Sequence, residues 1–289
     1  MATALMGLGN TLYFSAAEDA GSIFLRSFDL KTSQTKVVAD HLPGVFLIDH
    51  HPSFVAGEVI VWDADQGIVG VNLASGARRT IDKPAQAGAG DVVADERGVY
   101  ACGEGLDFYP VGGGKTRLLE QPCNREFGVL ALSPNHLWAV TAGTNRQVLR
   151  LAKRDGRVTR ARPLPPERRA NESWTGVVEP ISDDAAVVAF SQDQAFEVAT
   201  WGQESRTLFT GHGEVNAACN VRADDHHVYV AIINSMEPWS QDFFRVDLQT
   251  AERLSLPQPE EGFETLILDG HVYVLGHVTG SIWRLDFTK

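Results

Sequence analysis

A chain of 289 residues with 44% hydrophobic and 21% charged residues can bury a sizeable core in one domain without disulfide or metal staples. Its net charge of −12 argues against general nucleic-acid binding, because a phosphate backbone would be repelled. No apolar run is long enough for a membrane-spanning helix, and Met1 to Leu8 lacks the basic start and long apolar stretch of a signal peptide. The expected compartment is the cytoplasm, unless a leader has been trimmed away.

The first apolar segment, Thr3 to Leu8, leads into Leu12-Tyr13-Phe14, and a second run then ends in Phe28-Asp29-Leu30. The same order recurs. Short runs with an aromatic or β-branched residue follow at Val59-Ile60-Val61, Val99-Tyr100-Ala101, Leu137-Trp138-Ala139, Val187-Val188-Ala189, Val228-Tyr229-Val230 and Val272-Tyr273-Val274, in steps of 38 to 50 residues. The second run returns as Val71-Asn72-Leu73, Val246-Asp247-Leu248 and Leu285-Asp286-Phe287, and in weakened form as Phe108-Tyr109 and Val148-Leu149. Gly21, Asp65 to Gly67, Gly103 to Gly105, Gly143 and Gly280 separate the two runs, where a chain reversal is cheapest. Apolar stretches such as Val92 to Asp95, Val129 to Leu132 and Leu266 to Gly270 precede the first run and are predicted innermost strands. Thr35 to Val38, Arg78 to Ile81, Thr116 to Leu119, Arg206 to Phe209 and Arg253 to Leu256 follow the second and are predicted outermost strands.

No stretch keeps a helical apolar period. Four strands per unit and seven units predict an all-β fold, a seven-bladed β-propeller of four-stranded antiparallel blades, as a single domain over 1–289. Closure is irregular: either the last blade lacks an outer strand, or the N-terminal segment serves there and the first blade is incomplete. The first arrangement is favoured. The Val-Tyr-Val run, with Arg245-Val246-Asp247-Leu248 and Arg284-Leu285-Asp286-Phe287, resembles seven-bladed repeats of the NHL and YVTN type. The resemblance covers nearly the whole chain, implies the fold and a preference for binding roles, and carries over no functional residue.

Cys102, Cys123 and Cys219 stand at unrelated spacings, which predicts a reducing compartment and gives no metal pattern. Gly112 to Thr116 lacks the remaining glycine and the helix of a phosphate loop, and reads as a turn. Asp63 to Gly67 resembles the start of a calcium loop, but Ala74 stands where Glu is needed. His50-His51 and His226-His227 are expected at hairpins joining first and second strands, where neighbouring side chains diverge and cannot chelate one ion. No cofactor and no metal are expected. Asn171-Glu172-Ser173 is a glycosylation sequon that matters only in a secreted chain.

Candidate functional residues follow from topology. Loops from one blade's outer strand to the next blade's inner strand gather at one mouth, with the loops between second and third strands. Two of these read as long, Pro165 to Gly176 and Ile233 to Gln241. The mouth is predicted to hold Arg125, Arg168, Arg169, Asn171, Trp174, Asn216, Trp239 and His277 as ligand-binding residues, since Trp, Arg and amides can stack on and fork toward a peptide, sugar or anion. His212 with Glu214 is the candidate catalytic pair, as a base and its orienting partner. From Arg146 to Arg169 nine basic residues face only Asp155 and Glu167. Arg150, Arg160 and Arg162 in this run are expected either to guard an exposed strand edge or to form a patch for an acidic partner. Two functions are carried forward. One is a non-catalytic module that binds a protein or peptide at the mouth, and the other a lyase or hydrolase acting on a small molecule there. Neither nucleic acid nor a membrane is expected as a partner.

Overall fold

The computed structural model describes residues 2–19, 22–42, 45–46, 53–63, 66–83, 91–123, 129–143, 145–164, 177–192, 195–202, 205–212, 217–236, 239–257, 263–276 and 279–285. These form an all-β ring of seven antiparallel sheets. Blade 1 contains β1 (Ala2–Leu8), β2 (Thr11–Asp19), β3 (Ser22–Asp29) and β4 (Gln34–Leu42). Blade 2 contains β5 (Val45–Phe46), β6 (Phe54–Val55), β7 (Glu58–Asp63), β8 (Gly67–Asn72) and β9 (Arg78–Asp82). Blade 3 runs through β10 (Val92–Asp95), β11 (Gly98–Cys102), β12 (Leu106–Pro110) and β13 (Thr116–Leu119), and blade 4 through β14 (Leu130–Leu132), β15 (His136–Val140), β16 (Gln147–Ala152) and β17 (Val158–Pro163). Blade 5 has β18 (Val177–Pro180), β19 (Ala186–Gln192), β20 (Ala195–Trp201) and β21 (Arg206–His212). Blade 6 has β22 (Ala217–Ala223), β23 (His227–Met236), β24 (Trp239–Asp247) and β25 (Arg253–Ser255). Blade 7 has three strands, β26 (Phe263–Leu268), β27 (His271–Gly276) and β28 (Ile282–Leu285).

The recurring aromatic or β-branched run is the second strand of each blade, and burial explains its composition. This strand has neighbours on both edges and a blade against each face, so Val59, Ile60 and Val61 are all 0% exposed, as are Leu137, Ala139 and Val187 to Ala189. Alternate residues feed the two adjoining interfaces. Ile60 joins Val92, Val99 and Tyr109 between blades 2 and 3, whereas Val59 and Val61 join Met6 and Leu25 between blades 1 and 2.

The Val-Asp-Leu-like triplet ends the third strand, and its acid makes the following turn. The Asp29 carboxylate accepts the amides of Lys31 and Thr32 at 2.9 and 2.8 Å. The Asp247 carboxylate accepts those of Gln249 and Thr250 at 2.8 and 2.7 Å, and Asn72 Oδ1 does the same for Ala74 and Ser75. Such side-chain acceptors stand in for a backbone turn. The backbone bonds from Thr32 and Thr250 hold the Asp29 and Asp247 carboxyls below the ordinary carboxylate range. The Leu that follows donates its N–H to the turn between the first two strands, Leu30 to Asn10, Leu73 to Gly57 and Leu248 to His226, at 2.8–2.9 Å. Gly76 closes one of these turns at φ +69, and a Cβ there would come within 2.6 Å of the Val38 carbonyl of blade 1.

Closure follows the favoured arrangement: the seventh sheet is the short one and blade 1 keeps all four of its own strands. The ring therefore joins through side chains, Leu5, Leu12 and Phe14 packing on Leu266, Tyr273 and Leu275. Gly7 lets β1 approach so closely that a Cβ would meet Leu268 and Leu266 methyls at 2.9–3.0 Å.

Three local expectations are corrected. The inner position of blade 2 is divided between two two-residue strands, β5 and β6, both pairing with β7. Its first turn lies at Ala56-Gly57, so His50-His51 precede that hairpin and fall outside the described residues. Ile233 to Gln241 is mainly a continuation of the β23–β24 ladder, because strand pairing persists through Ile233↔Gln241 to Met236↔Trp239.

Candidate functional site: the crossover face

In blades 1 to 6 the outer strand leads to the next blade's inner strand on one face of the ring, where the turns between second and third strands also open. The other two sets of turns occupy the opposite face. The two faces are built differently. Opposite the mouth, first and second strands are joined by turns as short as Gly9-Asn10, Glu96-Arg97 and Asp269-Gly270. At the mouth, crossovers span 83–91, 120–129, 164–176 and 256–262, whereas those into blades 2 and 6 span only 43–44 and 213–216.

The mouth has unequal walls. In blades 3 and 4 the second strand ends two residues past its aromatic anchor, at Cys102 and Val140. In blades 1 and 6 it continues to Asp19 and Met236, four to five residues further, which is roughly 13–17 Å of extra strand. Tall hairpins thus flank the short blade 7.

The low wall, between blades 3 and 4, carries buried polar groups. Asp91 is 0% exposed; its carboxylate accepts the Val92 amide at 3.0 Å and, across the blade boundary, the Leu130 amide at 2.7 Å. One acid thereby satisfies the first amides of two inner strands. Arg146, counted in the sequence as part of a surface charge run, is 2% exposed. Cys102 and Cys123 meet sulfur to sulfur, with Cα atoms 5.4 Å apart. The cysteines are therefore not unrelated, and the argument for a reducing compartment drawn from their spacing falls away. Deeper in the ring, the β18 carboxyl of Glu179 is buried near Arg222 of β22. Burial pushes it up to about 7, with the Arg222 charge pulling the other way.

Of the sequence-derived site residues, the ligand candidate Trp239 opens β24 at the tip of the blade 6 hairpin, and the catalytic candidate His212 closes the outer strand β21 opposite Ala195. Both backbones reach the crossover face. Arg125, Arg168, Arg169, Asn171, Trp174, Asn216 and His277, and the Glu214 partner of His212, lie outside the described residues. Among the described residues no group of three or more His, Cys, Asp or Glu is placed to hold a metal ion. The His226-His227 pair lies at its expected turn, where the Asp224 carboxylate accepts both amides at 2.8 and 2.7 Å.

The arginine ridge is turned toward blade 5. Arg150 donates to the Asp183 carbonyl at 3.1 Å and pairs with the Asp184 carboxylate. Arg162 donates to the Gly202 carbonyl at 2.9 Å and to the Ser205 hydroxyl, and lies over the Trp201 ring at 5.9 Å. Arg160 reaches the Asp184 carbonyl at 3.5 Å. Lys153, from the same basic run, is buried against Asp95 of blade 3 at 2.7 Å. Sequence reasoning missed these partners because they lie 24 to 58 residues away, beyond any local pattern.

No protein-family model and no curated protein sequence matches the chain. Solved structures do. BamB from Moraxella catarrhalis aligns over 98% of this chain and 81% of its own at 14% identity and TM-score 0.59. The Cps50 (Swd1) β-propeller domain of Myceliophteria thermophila aligns over 99% and 97% at 11% identity and TM-score 0.64. A puromycin-hydrolyzing peptidase of Mycobacterium tuberculosis aligns over 98% of this chain and 53% of its own at 12% identity and TM-score 0.60. At such identities the likeness is one of fold alone.

Proposed function

We propose that this chain is a non-catalytic binding module that holds a protein or peptide partner at the crossover face. The observation that carries the reading is the contrast between the faces: one is closed by short turns whose amides are taken up by their own Asp and Asn side chains, the other presents long crossovers and tall hairpins. A ring that gathers its longest connections on one side is built to present them. The proposed contacts are Trp239 on its hairpin and Arg168, Arg169 and Trp174 on the crossover 164–176. The ridge is a weaker basis, since an acidic partner would have to displace the bonds that Arg150 and Arg162 make to blade 5.

Selection of a phage-displayed random peptide library on the immobilised protein tests this. The selected peptides should lose about 30-fold or more in affinity for Trp239→Ala combined with Arg168→Glu and Arg169→Glu, as expected for removal of aromatic and Arg anchors. They should keep their affinity for Val111→Asp, which alters an exposed apolar residue on the opposite face. The reverse pattern would move the site to that face and discard the proposal.

A further inference from the structure

Cys102 ends the second strand of blade 3, and Cys123 stands on the crossover from blade 3 to blade 4. Their Cα separation of 5.4 Å is inside the span that a disulfide bridges without backbone movement. Both are enclosed, at 4% and 1% exposure. Each is also fixed by backbone bonds that do not involve sulfur. The Cys102 amide donates to the Asp91 carbonyl at 2.9 Å, Cys123 forms an antiparallel bridge with Thr141 of blade 4, and the Ala142 amide donates to the Pro122 carbonyl at 2.9 Å. The crossover at Cys123 is thus already held by blade 4, and a bond to Cys102 ties it to blade 3 as well.

We propose that Cys102 and Cys123 form a permanent disulfide that clasps blades 3 and 4 together at the low wall of the mouth. The bond forms by thiol–disulfide exchange while the sulfurs are still open to solvent during folding. One cysteine thiolate attacks a disulfide oxidant such as glutathione disulfide, releasing one glutathione thiolate. The second cysteine thiolate then attacks the mixed disulfide and releases the other. Two protein thiols lose two electrons and two protons, and the oxidant gains both as two thiols. Once the blades close, a reductant cannot reach either sulfur, so the bond outlasts exposure of the folded protein to thiols. Cys219 on β22 is left as the third cysteine of the chain. The clasp is independent of what the mouth binds.

The protein is refolded in a glutathione redox buffer, exposed in its folded state to dithiothreitol, freed of the reductant by gel filtration, then unfolded in guanidinium with iodoacetamide and weighed by mass spectrometry. The expected result is one carbamidomethyl group, on Cys219, rising to three when dithiothreitol is added in guanidinium. Three groups without denaturing reduction, or glutathione adducts on Cys102 and Cys123, would overturn the proposal. Cys102→Ser combined with Cys123→Ser should melt roughly 5–10 °C below the oxidised wild type, and equal melting temperatures would reject the clasp. If that variant does not fold, the alkylation count of the wild type still decides.

Discussion

Blades 3 to 5 and the seam between blades 7 and 1 join their sheets by different means. In the first sector, an apolar cluster around Trp138, Leu130 and Val188 is crossed by directed bonds: Asp91 to the Leu130 amide, Lys153 to Asp95, Asn135 to Asp183, and Arg150 and Arg162 to blade 5 carbonyls. At the seam, Leu5, Leu12 and Phe14 meet Leu266, Tyr273 and Leu275, with Gly7 allowing the close approach. Hydrophobic packing is non-directional and leaves angle and register to shape, whereas a hydrogen bond fixes both. Directed bonds thus fix angle and register between blades 3, 4 and 5, while at the seam the shapes of apolar side chains carry much of the joining.

Breaking the polar sector at its most buried pair should have the largest effect. Lys153→Met leaves the Asp95 carboxylate, whose side chain is 11% exposed, without its cation, and should cost about 3–5 kcal/mol in urea unfolding. Adding Asp95→Leu should recover most of that loss, and failure to recover would show that the pair matters for more than charge compensation. At the seam, Leu5→Ala should cost about 2–4 kcal/mol. In hydrogen exchange it should raise the rates of β1 and β26 while β14 and β18 stay protected; uniform acceleration would erase the distinction between the regions. The smallest effect concerns Asp183, held at about 2: burial raises it, and the bonds from Asn135, Ser133 and His136 outweigh that. A carboxylate lowered in the folded state stabilises above its unfolded value near 3.8 and stops doing so as pH falls toward 2. For a half-buried group still open to solvent screening the contribution is about 1 kcal/mol. The stability gap between wild type and Asp183→Asn should accordingly be full at pH 5 and vanish near pH 2.

The repeat was legible because each second strand is buried on both faces and must be apolar whatever its neighbours contain, as at Val59 to Val61 and Val187 to Ala189. The Val-Asp-Leu-like triplet was also legible as a mark, although its cause, the capture of turn amides by Asp29 or Asp247, needed coordinates. What escaped was whatever links one blade to another. Cys102 and Cys123 carry no sign of their pairing, because the curvature of the ring brings them together. Arg146 to Arg162 looked like free surface charge for the same reason: Asp95, Asp183 and Asp184 belong to adjoining blades. The hairpin heights were hidden because Ile233 to Gln241 mixes β-branched and polar residues, and pairing decided its conformation. Of the mouth residues, Trp239 and His212 were read as loop residues, whereas Trp239 opens β24 and His212 closes β21, because strand pairing extends further than the apolar pattern does.

The seam also sets a timetable for biosynthesis. Leu5 and Leu266 are partners at opposite ends of the chain, and at ~5–20 residues per second a ribosome needs roughly 13–50 s to deliver the second after the first. Throughout that interval the outward face of the newborn first blade has no cover. The Asp29 and Asn72 turns, made entirely from residues within one hairpin, can meanwhile set as soon as each emerges. A nascent chain of this protein is accordingly a string of pre-shaped sheets that waits for its last member before it can become a wheel.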